Sequence, residues 1–273
     1  IANVVACHSG SVGPISFSGT NATNYAWTNS NTAIGLAATG TTPITFTGTN
    51  TGTTPITGTI TVTPFNTSGA TSCPGTPTTF TITINPKGQV NTISNQVVCN
   101  GDTVIIPDFS TANTVGITTY SWTNSNTAIG LVSSGTGNIS SFTATNTSTA
   151  PINATITVTP TFTNGNVSCS GLSKSFTITV NPTAQVTQPN NFIFCAGTAS
   201  TAIPFSTTNT VGTTTYNWTN DTPSISLPAS GTGNIPVFTP VNNTTSPITA
   251  TITVTPTFAN GGTNCTGPAK TFT

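Results

Sequence analysis

The chain of 273 residues is almost without charge. It contains no Arg, no Glu and no Met, and charged residues make up 2% of the sequence. In an ordinary soluble domain about a quarter of the residues are charged. Recognition of nucleic acid requires a cluster of basic side chains, which the three lysines of this chain cannot supply. We therefore expect no nucleic-acid partner.

Catalysis and membrane insertion are excluded on similar grounds. Acid–base catalysis needs carboxylates and histidines that converge on one site, whereas this chain has three Asp and one His. The sequence thus predicts no enzyme, no catalytic residue, no cofactor and no metal site, and His8 is interpreted as a solvated turn residue. No apolar run approaches the roughly 20 residues that a membrane-spanning helix needs, so no membrane insertion is expected.

Thr, Gly and Pro dominate the composition. The chain contains 69 Thr, 25 Gly and 20 Pro. Thr, like Val and Ile, is β-branched and favours strands, while Gly and Pro favour turns. Segments such as residues 176–180 alternate apolar side chains with Thr, which is the pattern of a half-buried strand. The sequence therefore predicts an all-β protein.

The chain consists of three copies of one unit. Trp27, Trp122 and Trp218 lie 95 and 96 residues apart, and cysteines and prolines recur at nearly the same period. The predicted repeats are residues 1–86, 87–182 and 183–273. Each has room for about seven short strands, so we predict a tandem array of three immunoglobulin-like β-sandwich domains with the tryptophans in their cores.

Both terminal repeats are expected to be incomplete. The first repeat begins at a position that matches Ile93 of the second, and the third stops within its own last strand, at Thr273. We therefore interpret the chain as part of a longer array.

Two cysteines in each repeat predict three disulfide bonds formed in an oxidising compartment. One pairing lies within each repeat, as Cys7–Cys73, Cys99–Cys169 and Cys195–Cys265. In a standard sandwich, however, the first cysteine lies at the end nearest the next repeat, and the second lies in a turn at the opposite end. Bonded cysteines need Cα atoms within about 7 Å, which the opposite ends of one sandwich do not allow. The alternative pairing therefore joins cysteines of neighbouring repeats across a junction, as Cys7–Cys169 and Cys99–Cys265. Both pairings stay open at this point.

Several motifs together resemble a known family of repeats. They lie at residues 97–104, 120–123, 156–160, 164–165, 169–171 and 176–182. These motifs resemble the PKD-like, immunoglobulin-like repeats of very large Bacteroidetes surface proteins, which include gliding-motility adhesins exported by the type IX secretion system. The resemblance implies β-sandwich domains, a bacterial cell-surface location and no catalysis. It also makes Thr103, after Asp102, a candidate site for an O-linked glycan.

The predicted function is that of a structural stalk segment in a large extracellular adhesin or surface fibre, which transmits force and projects a distal binding region. The adjacent repeats of the same chain are then its principal partners. Two alternatives remain open, a self-assembling filament subunit and a repeat that binds glycans or cells. A surface without charge repulsion also favours lateral self-association.

Overall fold

The structure is a computed structural model that describes residues 1–41 and 43–273. It confirms the predicted all-β array of three immunoglobulin-like sandwiches. The first repeat contains β1 (Val4–Cys7), β2 (Ser11–Ile15), β3 (Asn24–Asn29), β4 (Thr39–Thr41), β5 (Ile44–Thr47), β6 (Ile56–Ser68), β7 (Thr71–Pro74) and β8 (Thr78–Asn85). The second contains β9 (Gln96–Cys99), β10 (Thr103–Val104), β11 (Ile117–Asn124), β12 (Ser134–Thr136), β13 (Phe142–Thr143), β14 (Ile152–Asn164), β15 (Val167–Ser170) and β16 (Lys174–Asn181).

The third repeat contains fewer strands. These are β17 (Thr213–Asn220), β18 (Ser230–Thr232), β19 (Ile252–Asn260), β20 (Thr263–Thr266) and β21 (Lys270–Phe272). Each repeat also has one short 3-10 turn, at Thr32–Ile34, Thr127–Ile129 and Pro223–Ile225. Within the described ranges, no helix is long and apolar enough to cross a membrane.

One large sheet forms most of the first and of the second repeat. Its strand order is β1-β8-β6-β3-β4 in the first repeat and β9-β16-β14-β11-β12 in the second. The first and last strands of a repeat, β1 with β8 and β9 with β16, run parallel, and the other pairs are antiparallel. The opposing sheet is a strand pair, β2–β5 or β10–β13, and in the third repeat a single bridge between Ile203 and Ile235 takes its place.

The core lies between the two sheets. Apolar side chains of the central strand alternate with Thr, so Ile156 and Val158 are buried while Thr155 is exposed. Trp122 packs in the same core as Ile156 and Val158, with 6% of its surface exposed. Trp27 and Trp218 occupy the same position in the other repeats, with 6% and 3% exposed. Burial of side chains this large is the main stabilising term of a small sandwich.

The long central strand sets the distance between the two ends of a repeat. Strand β14 has 13 residues, which at about 3.3 Å per residue span about 43 Å. Its last residues pair with β15, whereas its first residues pair with the end of β16. We call the end that carries the β14–β15 hairpin the N-terminal face of the repeat, and the end where β9 and β16 stop its C-terminal face.

Candidate functional site at the repeat junctions

The two junctions bring together four of the six cysteines that the sequence marked as candidates. Each joins the C-terminal face of one repeat to the N-terminal face of the next. At the first junction, the ends of β1 and β8 meet the β14–β15 hairpin. At the second, the ends of β9 and β16 meet the β19–β20 hairpin. The cysteines, a pair of asparagines and a close backbone contact recur at both.

In the structure, both disulfide bonds cross a junction. Cys7 is bonded to Cys169 and Cys99 to Cys265, each with a Cα–Cα distance of 5.5 Å. The remaining cysteines, Cys73 and Cys195, are exposed free thiols. The structure thus adopts the cross-junction alternative, and the within-repeat pairs, Cys7–Cys73, Cys99–Cys169 and Cys195–Cys265, are not bonded.

The position expected for Cys169 was wrong in one respect. The sequence placed it in a turn, whereas it lies in strand β15, opposite Phe162. The turn is only two residues long, because Gly165 and Asn166 both adopt positive φ angles of 58° and 59°. Such a tight hairpin lets pairing resume at once and carries the cysteine into the strand.

A reciprocal pair of asparagines lies beside each disulfide. Asn85 ends β8 and is fully buried. Its Nδ2 donates to the backbone oxygen of Asn164 at 2.8 Å, and its Oδ1 accepts from Nδ2 of Asn164 at 3.0 Å. Asn181 and Asn260 repeat the arrangement at 3.0 and 2.8 Å. Since a buried amide is costly to leave unpaired, each asparagine holds the neighbouring repeat in register.

The linker of the first junction lies directly against the hairpin. The backbone N–H of Gly88 donates to the backbone oxygen of Cys169 at 3.1 Å. A Cβ atom added to Gly171 would overlap the backbone oxygen of Gly88, so a side chain there would push the repeats apart. Gly267 and Ala184 make the same close approach at the second junction.

A third group of contacts joins the other side of each junction. Asn113 precedes β11, and its Oδ1 accepts from the backbone N–H of Gln89 at 2.7 Å. The backbone N–H of Thr114 donates to the oxygen of Thr53, in the preceding repeat, at 3.0 Å. Asn209, Gln185, Thr210 and Thr149 form the same bonds at 2.7 and 2.9 Å. Contacts at three separate places fix both the tilt and the rotation between neighbours.

His8 lies in a turn, as the sequence indicated, but it is not simply solvated. It is partly buried, and its Nδ1 accepts a hydrogen bond from the backbone N–H of Asn50 at 3.0 Å. In the second repeat, Oδ1 of Asn100 accepts from the backbone N–H of Asn146 at 2.8 Å. The histidine therefore performs the structural role of an asparagine at this position.

Thr103 and the aspartates make no direct contact with the neighbouring repeat among the described hydrogen bonds. Thr103 is exposed on β10, while the neighbouring Val104 is buried. The carboxylate of Asp102 accepts a hydrogen bond from the backbone N–H of Cys99 at 2.8 Å. The backbone N–H of Thr251 donates to Asp221 and lowers the pKa of that carboxyl. Residues 1–41 and 43–273 contain no group of three His, Cys, Asp or Glu side chains arranged to hold a metal ion.

The asparagine pair and the glycine contact were missed in the sequence. Both leave a signal there, since an Asn-Pro pair recurs at residues 85–86 and 181–182, and Asn precedes Gly in the hairpins of the second and third repeats. In a chain this rich in Asn and Gly, these recurrences do not stand out from the rest of the repeat.

No protein-family model matches the chain, and the search of curated proteins finds no match. Solved structures with a similar succession of domains include a three-domain immunoglobulin segment of titin, in a mutated variant. It is 11% identical, has a TM-score of 0.44, and the match covers 100% of this chain and 95% of that one. The three N-terminal domains of the bacteriophage RB49 outer capsid protein Hoc are 14% identical, with a TM-score of 0.40 and coverage of 91% and 85%. Mouse protocadherin-24, domains EC1-3, is 12% identical, with a TM-score of 0.36 and coverage of 98% and 95%.

Proposed function

We propose that this protein is a non-catalytic structural segment of an extracellular stalk, and that its junctions transmit force from repeat to repeat. The observation that carries the proposal is the disulfide bond across each junction, at Cys7–Cys169 and Cys99–Cys265. A disulfide within a domain stabilises that domain alone, whereas a bond between domains also prevents the junction from opening under load.

The geometry of the junctions supports a rod. The two junctions lie at opposite ends of the second repeat, the first at its N-terminal face and the second at its C-terminal face. The length of the central strand therefore separates the disulfide and asparagine pair of one junction from those of the other. At about 43 Å per repeat, three repeats in series extend for about 130 Å. Joints of this kind restrict bending, which suits a segment that projects a distal region from a surface.

The location and the wider identity belong to the same proposal. Disulfide bonds persist in oxidising surroundings, so we place the protein outside the cell. The resemblance to PKD-like repeats supports a Bacteroidetes surface adhesin of the gliding-motility type, exported by the type IX system. Thr103 is exposed, as an O-glycosylated residue must be. Hydroxyl-bearing side chains line the outer face of each large sheet, as with the bonded pair Thr157 and Ser175, and such a neutral face suits lateral contact with a second copy.

A self-assembling filament is the second candidate, since the free thiols Cys73 and Cys195 lie on the outward faces of the first and third repeats. The first repeat argues against simple head-to-tail polymerisation. By the β6–β7 pairing, Asn66 and Ser68 stand where the second repeat has Phe162 and Asn164. That hairpin therefore cannot form the asparagine pair, and we favour the stalk.

Tryptic digestion under denaturing, non-reducing conditions tests the covalent connection. The chain has no Arg, and cleavage after Lys87 and Lys174 leaves two cysteines in each large fragment. Cross-junction bonds predict that the three large fragments remain joined as one species, which separates only after reduction. Three separate fragments before reduction would show that no disulfide crosses a junction and would overturn the proposed mechanism.

A further inference from the structure

The two junctions differ in the chemistry of one hydrogen-bond acceptor. In the first repeat, Nδ1 of His8 accepts a hydrogen bond from the backbone N–H of Asn50 at 3.0 Å. In the second repeat, Oδ1 of Asn100 accepts from the backbone N–H of Asn146 at 2.8 Å. An amide oxygen accepts at any pH, whereas a ring nitrogen accepts only while it carries no proton. A proton can therefore break the bond in the first repeat and not the bond in the second.

The bond from His8 holds a loop that contacts the next repeat. This loop, residues 50–54, precedes β6. Asn50 anchors it, because the residue is 4% exposed and its Nδ2 donates to two backbone oxygens at 2.7 and 2.8 Å. Three residues further on, the backbone oxygen of Thr53 accepts from the N–H of Thr114, in the second repeat, at 3.0 Å. The acceptor on His8 thus helps to position a contact between repeats.

The second junction has the same loop without the titratable group. Residues 146–150 are anchored in the same way, since Nδ2 of Asn146 donates to two backbone oxygens, both at 2.8 Å. The backbone oxygen of Thr149 accepts from the N–H of Thr210, in the third repeat, at 2.9 Å. Because the loop, its anchor and its contact are matched, the chain contains its own control for the effect of the histidine.

Little other charge surrounds the ring of His8. The backbone segments around it are residues 5–10, 46–54, 84–88 and 164–169. Their sequences contain no Asp or Glu, and their one other charged side chain is that of Lys87. Cys7 is held in a disulfide and does not titrate. Protonation of the ring therefore breaks the bond to Asn50 and finds no carboxylate in these segments with which to form an ion pair.

We propose that the first junction is a pH-sensitive hinge, in which protonation of His8 releases the loop of residues 50–54 and its contact with the second repeat. Histidine is the side chain that ordinarily changes its charge between about pH 5 and pH 8. The contact requires the neutral ring, so it is complete above this range and is lost as the pH falls through it.

Release of the loop frees one side of the junction. The disulfide Cys7–Cys169 and the hydrogen bonds between Asn85 and Asn164 lie on the other side and contain no titratable group. The two repeats therefore stay connected and can tilt about the disulfide, while the second junction stays fixed. A change in the stiffness of a load-bearing rod rests on the proposed function, whereas release of the loop does not.

Hydrogen exchange with mass spectrometry on the whole oxidised chain, at pH 8 and pH 5, tests the hinge. The chemical rate of amide exchange itself depends on pH, so the quantity compared is the exchange of residues 50–54 relative to that of residues 146–150. A buried donor loses its acceptor in the first loop alone, and we expect this ratio to rise about 5- to 100-fold in acid. The contact residues 113–114, compared with 209–210, should change in the same direction.

Two substitutions exchange the acceptors. His8→Asn supplies the amide oxygen that the second repeat uses, and should make the ratio independent of pH. Asn100→His should transfer the pH dependence to residues 146–150. A ratio that does not change with pH in the native chain, or that still changes in the His8→Asn variant, would overturn the proposal.

Nuclear magnetic resonance of the ring supplies an independent measurement. The chain has a single histidine, so the ring signals of His8 are unambiguous. The pH at which these signals change should coincide with the midpoint of the exchange ratio, and a clear separation of the two would contradict the hinge. Separate tryptic fragments before reduction would refute the proposed force path, while the exchange ratios would still decide whether the loop is released.

Discussion

Stretching a single molecule from its two ends separates the cross-junction disulfides from every other pairing. In the oxidised chain, the shortest covalent path from end to end uses both disulfides. It runs along the backbone from Ile1 to Cys7 and crosses the first disulfide to Cys169. It then returns along the backbone to Cys99, crosses the second disulfide to Cys265 and ends at Thr273. This path contains six, 70 and eight residue steps, 84 in all, whereas the full backbone contains 272. The rest of the chain carries no load.

The magnitudes follow from chain geometry. At about 3.5 Å per extended residue, the oxidised path cannot exceed about 300 Å, whereas the reduced chain reaches about 950 Å. Only the second repeat lies on the loaded path, since Cys169 and Cys99 are at its two faces. Its 70 loaded residues extend to about 245 Å from a folded separation of about 40 Å. The oxidised chain should therefore lengthen in one step of about 200 Å.

Reduction changes both the number and the size of the steps. The repeats contain 86, 96 and 91 residues. Each then unfolds along its whole length and releases about 260–300 Å, so three such steps should appear. Atomic force microscopy with peptide tags at both termini, in buffer with and without a thiol reductant, measures both traces. The variant with Cys73→Ser and Cys195→Ser is the matched control, because it removes the exposed thiols and should give the oxidised trace unchanged.

Two results would refute this reasoning. Within-repeat disulfides would leave about 20–26 residues of each repeat outside its closed loop, so the oxidised chain would show three steps of about 30–50 Å each. Three steps of about 260–300 Å before reduction would show that neither bond crosses the load path. Either trace would rule out junctions that carry force through a disulfide.

Three further predictions concern the junction and its surroundings. Asn85→Ala should lower the free energy of unfolding of the reduced protein by about 1–3 kcal/mol, as measured by chemical denaturation, because it leaves buried partners unpaired. Gly171→Ala should disturb the first junction and increase amide exchange on both sides of it. Gly75→Ala, at the equivalent position of the first repeat, should have a smaller effect, because its Cβ would meet Cγ of Pro64 at 3.0 Å and would not overlap a backbone oxygen. Burial raises the pKa of Tyr120 and Tyr216, so their contribution to stability is complete below the ordinary pKa of tyrosine, about 10, and is lost as the pH rises through the higher folded value. The midpoint of unfolding should accordingly vary little between about pH 7 and pH 9 and should fall at more alkaline pH. If a variant with both tyrosines replaced by Phe shows no such fall, the effect belongs to these two residues.

Much of the fold was predictable because its signals are repeated three times. The alternation of Thr with apolar residues in segments such as 176–180 fixes which side of a strand faces the core, and recurrence of the same pattern at a constant period excludes chance. The face of the repeat at which each cysteine lies, N-terminal or C-terminal, was also predictable from the topology of a sandwich. The pairing itself was not, because the spacing of two cysteines does not show whether their neighbours in space belong to the same repeat.

The rest of the junction could not be predicted from the sequence for a physical reason. Charged or aromatic side chains stand out in a polar chain, but Asn85 and Asn164 belong to a background of abundant amides. Their role depends on burial and on a partner 79 residues away, neither of which composition reveals. His8 shows the opposite error. As the only histidine of the chain it suggests a special role, yet it accepts the same kind of backbone hydrogen bond that Asn100 accepts in the next repeat.

The near absence of charge and the construction of the junctions are consistent with one another. Exposed ion pairs contribute little and weaken as salt concentration rises, so they hold neighbouring domains poorly in a variable extracellular medium. Here the described contacts between repeats are made by disulfides, buried amides and close backbone approach, of which Cys99–Cys265 and Asn181–Asn260 are examples. None of these changes its charge over the physiological pH range, and buried amide pairs are screened little by salt. The proposed rod would keep its shape without depending on the salt ions around it, and its uncharged surface would not repel a neighbouring rod.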